Sequence, residues 1–206
     1  DALAAYAAYP AGIAGTGGLG IVTISGGPCV AAADACEEAG VGVPVLAAAT
    51  QAVIRSLTPE FAAVRNPVDM TPQCDPCQMA SCVDAVAGDP SVTALLAINV
   101  GLDRPGFAEG FVRARTRMPV LAFASDVPGI AAAFNAAGIP MFDSPERAAR
   151  AFELLTRRNP RPAAPLHATP RAEVGGFLNA YESARVLSGA GLSMVAQRVA
   201  SNEDEA

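Results

Sequence analysis

Leu19-Gly-Ile-Val-Thr-Ile-Ser-Gly-Gly-Pro-Cys-Val-Ala-Ala-Ala-Asp-Ala-Cys-Glu-Glu-Ala-Gly40 reads as a strand that turns straight into a helix. The β-branched run Ile21, Val22, Thr23, Ile24 predicts a buried strand that stops at Ser25-Gly26-Gly27. Pro28 suits the first turn of a helix, where its missing N–H costs nothing. Alanine-rich sequence carries that helix on, and Gly40 is its expected C-cap. Such a unit leaves backbone N–H groups and the positive end of a helix dipole beyond the strand, where an anion, most often a phosphate, is favoured. The expected phosphate-binding residues are Ser25, Gly26, Gly27 and Cys29. The plainer reading of a glycine pair after a strand is a tight connection and nothing more.

Outward from this stretch, strand and helix alternate. Strands are expected at 19–25, 43–46, 92–99, 119–124 and 140–142, and helices at about 28–39, 50–57, 76–87, 105–116, 128–137 and 145–158. Segments 92–99 and 119–124 are continuously apolar, the pattern of parallel strands covered on both faces. The expected fold class is α/β: a flavodoxin-like, doubly wound, parallel five-stranded sheet in order 2-1-3-4-5 with helices on both faces. Residues 1–18 read as the end of a preceding region and a glycine-rich link, and 19–158 as the sheet domain. A proline-rich linker follows at 159–171. Residues 172–206 read as a truncated unit of one helix at 172–190 and a strand at 193–200.

Composition narrows the chemistry. All 14 basic residues are arginine, which removes mechanisms needing a Schiff-base, P-loop or ATP-grasp lysine within this segment. Net charge is −6 with the arginines dispersed, which argues against nucleic acid as a partner. No apolar run approaches the ~18 residues of a membrane span. The start, Asp1-Ala-Leu-Ala-Ala-Tyr6, carries neither an initiator Met nor a signal-peptide basic region, so the chain reads as the middle of something longer. Cys74, Cys77 and Cys82 form C-x2-C-x4-C, but no fourth cysteine follows and the single histidine, His167, is distant; no metal site is expected. Five cysteines without a secretion signal fit a reducing cytoplasm.

In a doubly wound sheet ligands bind beyond the strands' carboxyl ends where strand order reverses, here between the first and third strands. Three loops meet there: Ser25–Cys29, the loop after Asn99, and the long connection carrying Asn66 and Asp69. Asn66, Asp69 and Asn99 are therefore expected in candidate active-site loops, although capping a turn or the next helix is the plainer reading of Asp69. Cys29 at a helix start could carry a lowered thiol pKa. Asp143-Ser-Pro-Glu146 resembles a capped helix start. No Ser-His-Asp set can be assembled, so no catalytic residue is expected in this segment.

Three motifs in order resemble one family. Ile21-Val-Thr-Ile-Ser-Gly-Gly-Pro28 with Ala32-Ala-Asp-Ala-Cys-Glu-Glu-Ala-Gly40, then Pro59-Glu-Phe-Ala-Ala-Val-Arg-Asn-Pro-Val-Asp-Met70, then Gly138-Ile-Pro-Met-Phe-Asp-Ser-Pro-Glu-Arg-Ala148 are similar to stretches of NDP-forming acyl-CoA synthetases, relatives of acetate–CoA ligase (ADP-forming) and succinyl-CoA synthetase. Leu178–Gly191 resembles the opening helix of that family's ATP-grasp domain. The resemblance implies a ligase domain whose helix N-terminus stabilises a phosphohistidine. It implies partner domains for CoA binding, for the phosphohistidine and for ATP-grasp, and a small carboxylic acid as substrate. ATP or GTP, Mg and CoA would belong to the parent enzyme and none to this segment; neither nucleic acid nor membrane is implied, and a homo-oligomer is allowed. Cys29 stands where the family motif has glycine, and its Cβ narrows the approach of a phosphate. The alternative is a non-catalytic regulatory or scaffold domain of a synthetase-like protein acetyltransferase. A free-standing FMN-binding or receiver module lacks the Ser/Thr-rich loop or clustered acids it would need.

Overall fold

The computed structural model describes residues 1–13, 17–156, 179–189, 191 and 193. The chain divides into two compact units, Asp1–Arg158 and Asn159–Ala206. In the first, α1 (Ala2–Ala8) precedes β1 (Gly18–Thr23), α2 (Gly26–Glu38), α3 (Ala48–Leu57), β2 (Val68–Asp69), α4 (Pro76–Ala87), β3 (Val92–Val100), α5 (Pro105–Ala114), β4 (Val120–Ser125), α6 (Pro128–Ala136), β5 (Met141–Phe142) and α7 (Pro145–Thr156). The five strands form one parallel sheet in the order β2-β1-β3-β4-β5. This is the α/β architecture and strand order expected from the sequence.

Side-chain alternation along β3 sorts the two apolar layers. Leu95 and Ala97 join the buried cluster of α3, α4, α5 and α6, while Ala94, Leu96 and Ile98 join that of α1, α2 and α7. In the first layer Phe107 packs tilted on Phe111, with ring centroids 4.9 Å apart, and Phe111 edge-on with Phe134 at 6.0 Å. In the second, the Tyr9 hydroxyl anchors the segment after α1: it donates to the Val120 carbonyl at 2.6 Å and accepts from the Val120 amide at 2.7 Å.

One strand differs from expectation. Residues 43–46 form no strand; β2 is the two-residue Val68–Asp69, paired with Val22 and Thr23. Pro44 has no N–H to give a ladder. The segment instead crosses the start of β1, with the Leu19 amide donating to the Gly42 carbonyl and the Leu46 amide to the Arg65 carbonyl. Asn66, at φ +112°, lies outside the extended region a strand residue occupies. Its side-chain amide takes that place: Oδ1 accepts from the Ile21 amide, and Nδ2 donates to the Leu19 and Pro44 carbonyls.

The second unit contributes α8 (Ala180–Gly189). Asn179 and Glu182 exchange backbone-to-side-chain hydrogen bonds of 2.9 Å at its start, a capping box. The rest of the helix expected at 172–190, the strand expected at 193–200 beyond its first residue, and His167 lie outside the described residues.

Candidate functional site

β1 is buried along its whole length and ends at the sheet's carboxyl edge. There the fully buried Thr23 hydroxyl accepts from the Ser25 amide at 2.8 Å and donates to the Ser25 carbonyl at 3.0 Å, bending the chain off the strand. Ser25 precedes α2, yet its hydroxyl does not cap that helix. It lies 3.2 Å from both the amide and the carbonyl of Val100, tying the turn to the end of β3.

α2 begins at Gly26, two residues before Pro28, so both glycines belong to its first turn. The first N–H groups of a helix have no partner inside it, and at α2 the N-cap residue Ser25 supplies none from its side chain. A Cβ added to Gly27 would meet nothing within 4 Å. A Cβ on Gly26 would stand 2.7 Å from Oδ2 of Asp69. Asp69 ends β2 beside Thr23, and its Oδ1 accepts from the Thr71 amide at 2.9 Å.

Cys29 closes the turn from inside, its thiol donating to the Gly26 carbonyl at 2.9 Å. Burial first, and the Asp69 charge second, push that thiol up to about 11. A lowered thiol pKa, expected from the helix start, is thus overturned: desolvation of a thiolate outweighs the dipole.

Ser25, Gly26, Gly27, Cys29 and Asp69 therefore come together. Asn66 does not join them, because all its polar atoms serve the backbone beside the middle of β1. Asn99 is fully buried at the end of β3, on the face of Leu95 and Ala97 rather than that of α2. Its Nδ2 donates to the Leu102 carbonyl at 2.8 Å and steadies the loop after β3, while its Oδ1 has no partner. Of the cysteine run, Cys77 is exposed at the start of α4, and Cys74 and Cys82 are buried. No three metal-ligating side chains cluster among the described residues. Asp143–Glu146 does start α7, with the Arg147 amide donating to the Ser144 hydroxyl at 3.3 Å.

Two contributors were not singled out in the sequence. Thr23 was legible in principle, since a hydroxyl two residues before a turn residue is a turn signal. Asp103 was not. Its carboxylate accepts from the Gly129 and Ile130 amides at 2.7 and 2.9 Å, closing the start of α6 from 26 residues away.

The Ligase-CoA domain family matches residues 19–142. The chain belongs to that family. It shares 33% identity over 154 aligned positions with the alpha subunit of acetate–CoA ligase [ADP-forming] II from Pyrococcus furiosus, covering 68% of this chain and 33% of that protein. Identity to acetate–CoA ligase [ADP-forming] I from Archaeoglobus fulgidus is 29% over 143 positions, covering 68% and 21%. Among solved structures, PH0766 from Pyrococcus horikoshii OT3 superposes with a TM-score of 0.66 at 30% identity, over 74% of this chain and 38% of that one. Ca. Korarchaeum cryptofilum dinucleotide-forming acetyl-coenzyme A synthetase 1, in complex with phosphate and ADP, gives 0.61 at 25% identity, over 69% and 33%. The Ligase-CoA chain thus spans a third or less of the curated relatives' length, and its family is that of the NDP-forming acyl-CoA synthetases. No helix among its described residues is long and apolar enough to cross a membrane.

Proposed function

We propose that this chain is a segment of an NDP-forming acyl-CoA synthetase, in which acid, CoA and NTP are converted to acyl-CoA, NDP and phosphate through a phosphohistidine on another domain. In this reading the first turn of α2 receives the phosphoryl group. Backbone N–H groups of Gly26 and Gly27 and the helix dipole stabilise its negative charge, with no side-chain cation required. Ser25 and Thr23 hold the turn rigid, and Cys29 braces it from below. Residues 159–171 act as a linker, 172–206 open the ATP-grasp region, and CoA, the nucleotide and Mg are held by the other domains. The reaction belongs to the cytoplasm.

The observation that carries this reading is the open start of α2. The helix has no side-chain cap, and the Gly27 Cα faces free space. One observation favours the alternative, a regulatory or scaffold domain: the Asp69 carboxylate beside Gly26 offsets part of the positive field a phosphate would use.

Phosphohistidine formation from ATP or acyl phosphate, measured in the full-length protein and its Gly27→Val variant, separates the two. Gly27→Val keeps the backbone N–H but fills the open space before the turn, so the phosphoryl group no longer reaches the donors and phosphorylation should fall on the order of a hundredfold while the fold persists. Equal phosphorylation and equal acyl-CoA output in both proteins would show that this helix start is structural.

A further inference from the structure

Three of the five cysteines gather around the start of α4, in the layer on the opposite side of the sheet from α2. Cys74 directly precedes the N-cap residue Asp75, Cys77 stands in the first turn behind Pro76, and Cys82 lies further along the helix. Cys77 is exposed, while Cys74 and Cys82 are buried.

The two buried thiols are in contact. The Cys82 thiol donates a hydrogen bond to the Cys74 sulfur, and the Cys74 thiol in turn donates to the Leu57 and Asp75 carbonyls, both at 3.7 Å. Burial pushes both thiols up, Cys82 as far as about 12. The thiolate is the nucleophile, and access sets its rate, so an oxidant arriving from solvent meets Cys77 first. Cys74-Asp75-Pro76-Cys77 then links the exposed thiol to the buried pair. Cys-x-x-Cys at a helix start is a spacing across which two cysteines can exchange a disulfide. α2 offers no such route, since Cys29 and Cys36 are both buried.

We propose that Cys77, Cys74 and Cys82 form a thiol–disulfide relay, in which a small disulfide of the glutathione type reacts at Cys77 and leaves the chain with a Cys74–Cys82 bond. The Cys77 thiolate attacks one sulfur of the disulfide RSSR, forming Cys77–S–S–R and releasing RS⁻. The Cys74 thiolate attacks the Cys77 sulfur and expels the second RS⁻. The Cys82 thiolate then attacks the Cys74 sulfur, and Cys77 leaves as a free thiolate. RSSR thereby gains two electrons and two protons from Cys74 and Cys82 and departs as two RSH. The last transfer is favoured because Cys74 and Cys82 already touch, whereas Cys74 faces the core and Cys77 the solvent. An excess of RSH reverses the sequence. The relay does not depend on the role of the α2 turn.

The test treats the folded chain with ~1 mM oxidised glutathione, alkylates the remaining thiols, cleaves with cyanogen bromide and weighs the fragments. Cleavage after Met70, Met79 and Met118 parts Cys74 and Cys77, in 71–79, from Cys82, in 80–118. In the wild-type chain the two fragments should stay joined, with Cys77 alkylated. Cys77→Ser should still give the joined product but form it about tenfold more slowly or worse, having lost the accessible thiol. Cys74→Ser should abolish it and stop at glutathione on Cys77. Wild-type fragments that separate overturn the proposal. So does a joined product that survives Cys74→Ser, or one that forms as fast in Cys77→Ser as in wild type.

Discussion

The starts of α2 and α6 stand at the same carboxyl edge of the sheet, each behind a strand and each with glycine in its first turn, yet they are finished differently. At α6 the Asp103 carboxylate accepts from the Gly129 and Ile130 amides, so the helix end is closed by the protein's own anion. At α2 a carboxylate also draws near, but Asp69 spends one oxygen on the Thr71 amide and sets the other where a Gly26 side chain would begin. The first turn of α2 has no such side-chain cap from its N-cap residue. The glycines record the same contrast. A Cβ on Gly129 or Gly26 would meet a carboxylate oxygen at 2.8 or 2.7 Å, while one on Gly27 would meet nothing. A side chain at either of these two glycines would have to move a carboxylate, and one at Gly27 would not.

The largest effect should come from Asp103→Ala. It strips two charge-assisted hydrogen bonds from the start of α6 and should cost about 2 kcal/mol in urea unfolding. A cost below about 0.5 kcal/mol would mean that the closed end gains nothing the open end lacks, and the comparison would break.

A smaller difference should separate the glycines of α2. Gly26→Ala forces its methyl against Asp69 and should cost about 1–2 kcal/mol. Gly27→Ala meets open space at a helical position and should be neutral or stabilising by up to ~1 kcal/mol. Equal losses at both positions would place an unrecognised neighbour over Gly27.

The smallest effect concerns alkaline pH. Cys29 is pushed from an ordinary 9.0 up to about 11 by burial and then by Asp69, and Cys36, deeper in α2, up to about 11 by burial. The folded chain therefore keeps thiol protons that the unfolded chain has released. The resulting stability is complete below about pH 9 and is lost as pH rises toward about 11. Thermal melts across that window should fall on the order of 5 °C. Cys29→Ala should remove its share of the fall, and Asp69→Asn a lesser share, since the charge ranks behind burial. A flat profile would show that these thiols titrate as they do in water.

Much of this molecule is written locally in its chain. β-branched and apolar runs announced β1, β3 and β4, because strands covered on both faces need side chains that shed water at every position. Prolines at 76, 105, 128 and 145 marked helix starts to the residue, since an N–H missing there is missing where none is bonded. At α2 the proline marks the start less closely, since the helix already begins at Gly26, two residues before Pro28. What the chain alone left undecided are the places where a polar group chooses among distant backbones. Val43–Leu46 reads as a strand, whereas a two-residue β2 has no periodicity to read and exists because β1 offers it partners and the Asn66 amide fills the gap beside it. Asn66 looked like a loop residue free to meet a ligand, but folding set its whole amide to holding backbone, whereas Asn99 gives only its Nδ2 to the loop after β3. The closing of α6 by Asp103 and the approach of Asp69 to Gly26 depend on segments far apart in sequence, brought together by packing about one sheet. Local sequence determines which elements form; only tertiary contact decides which helix ends remain open.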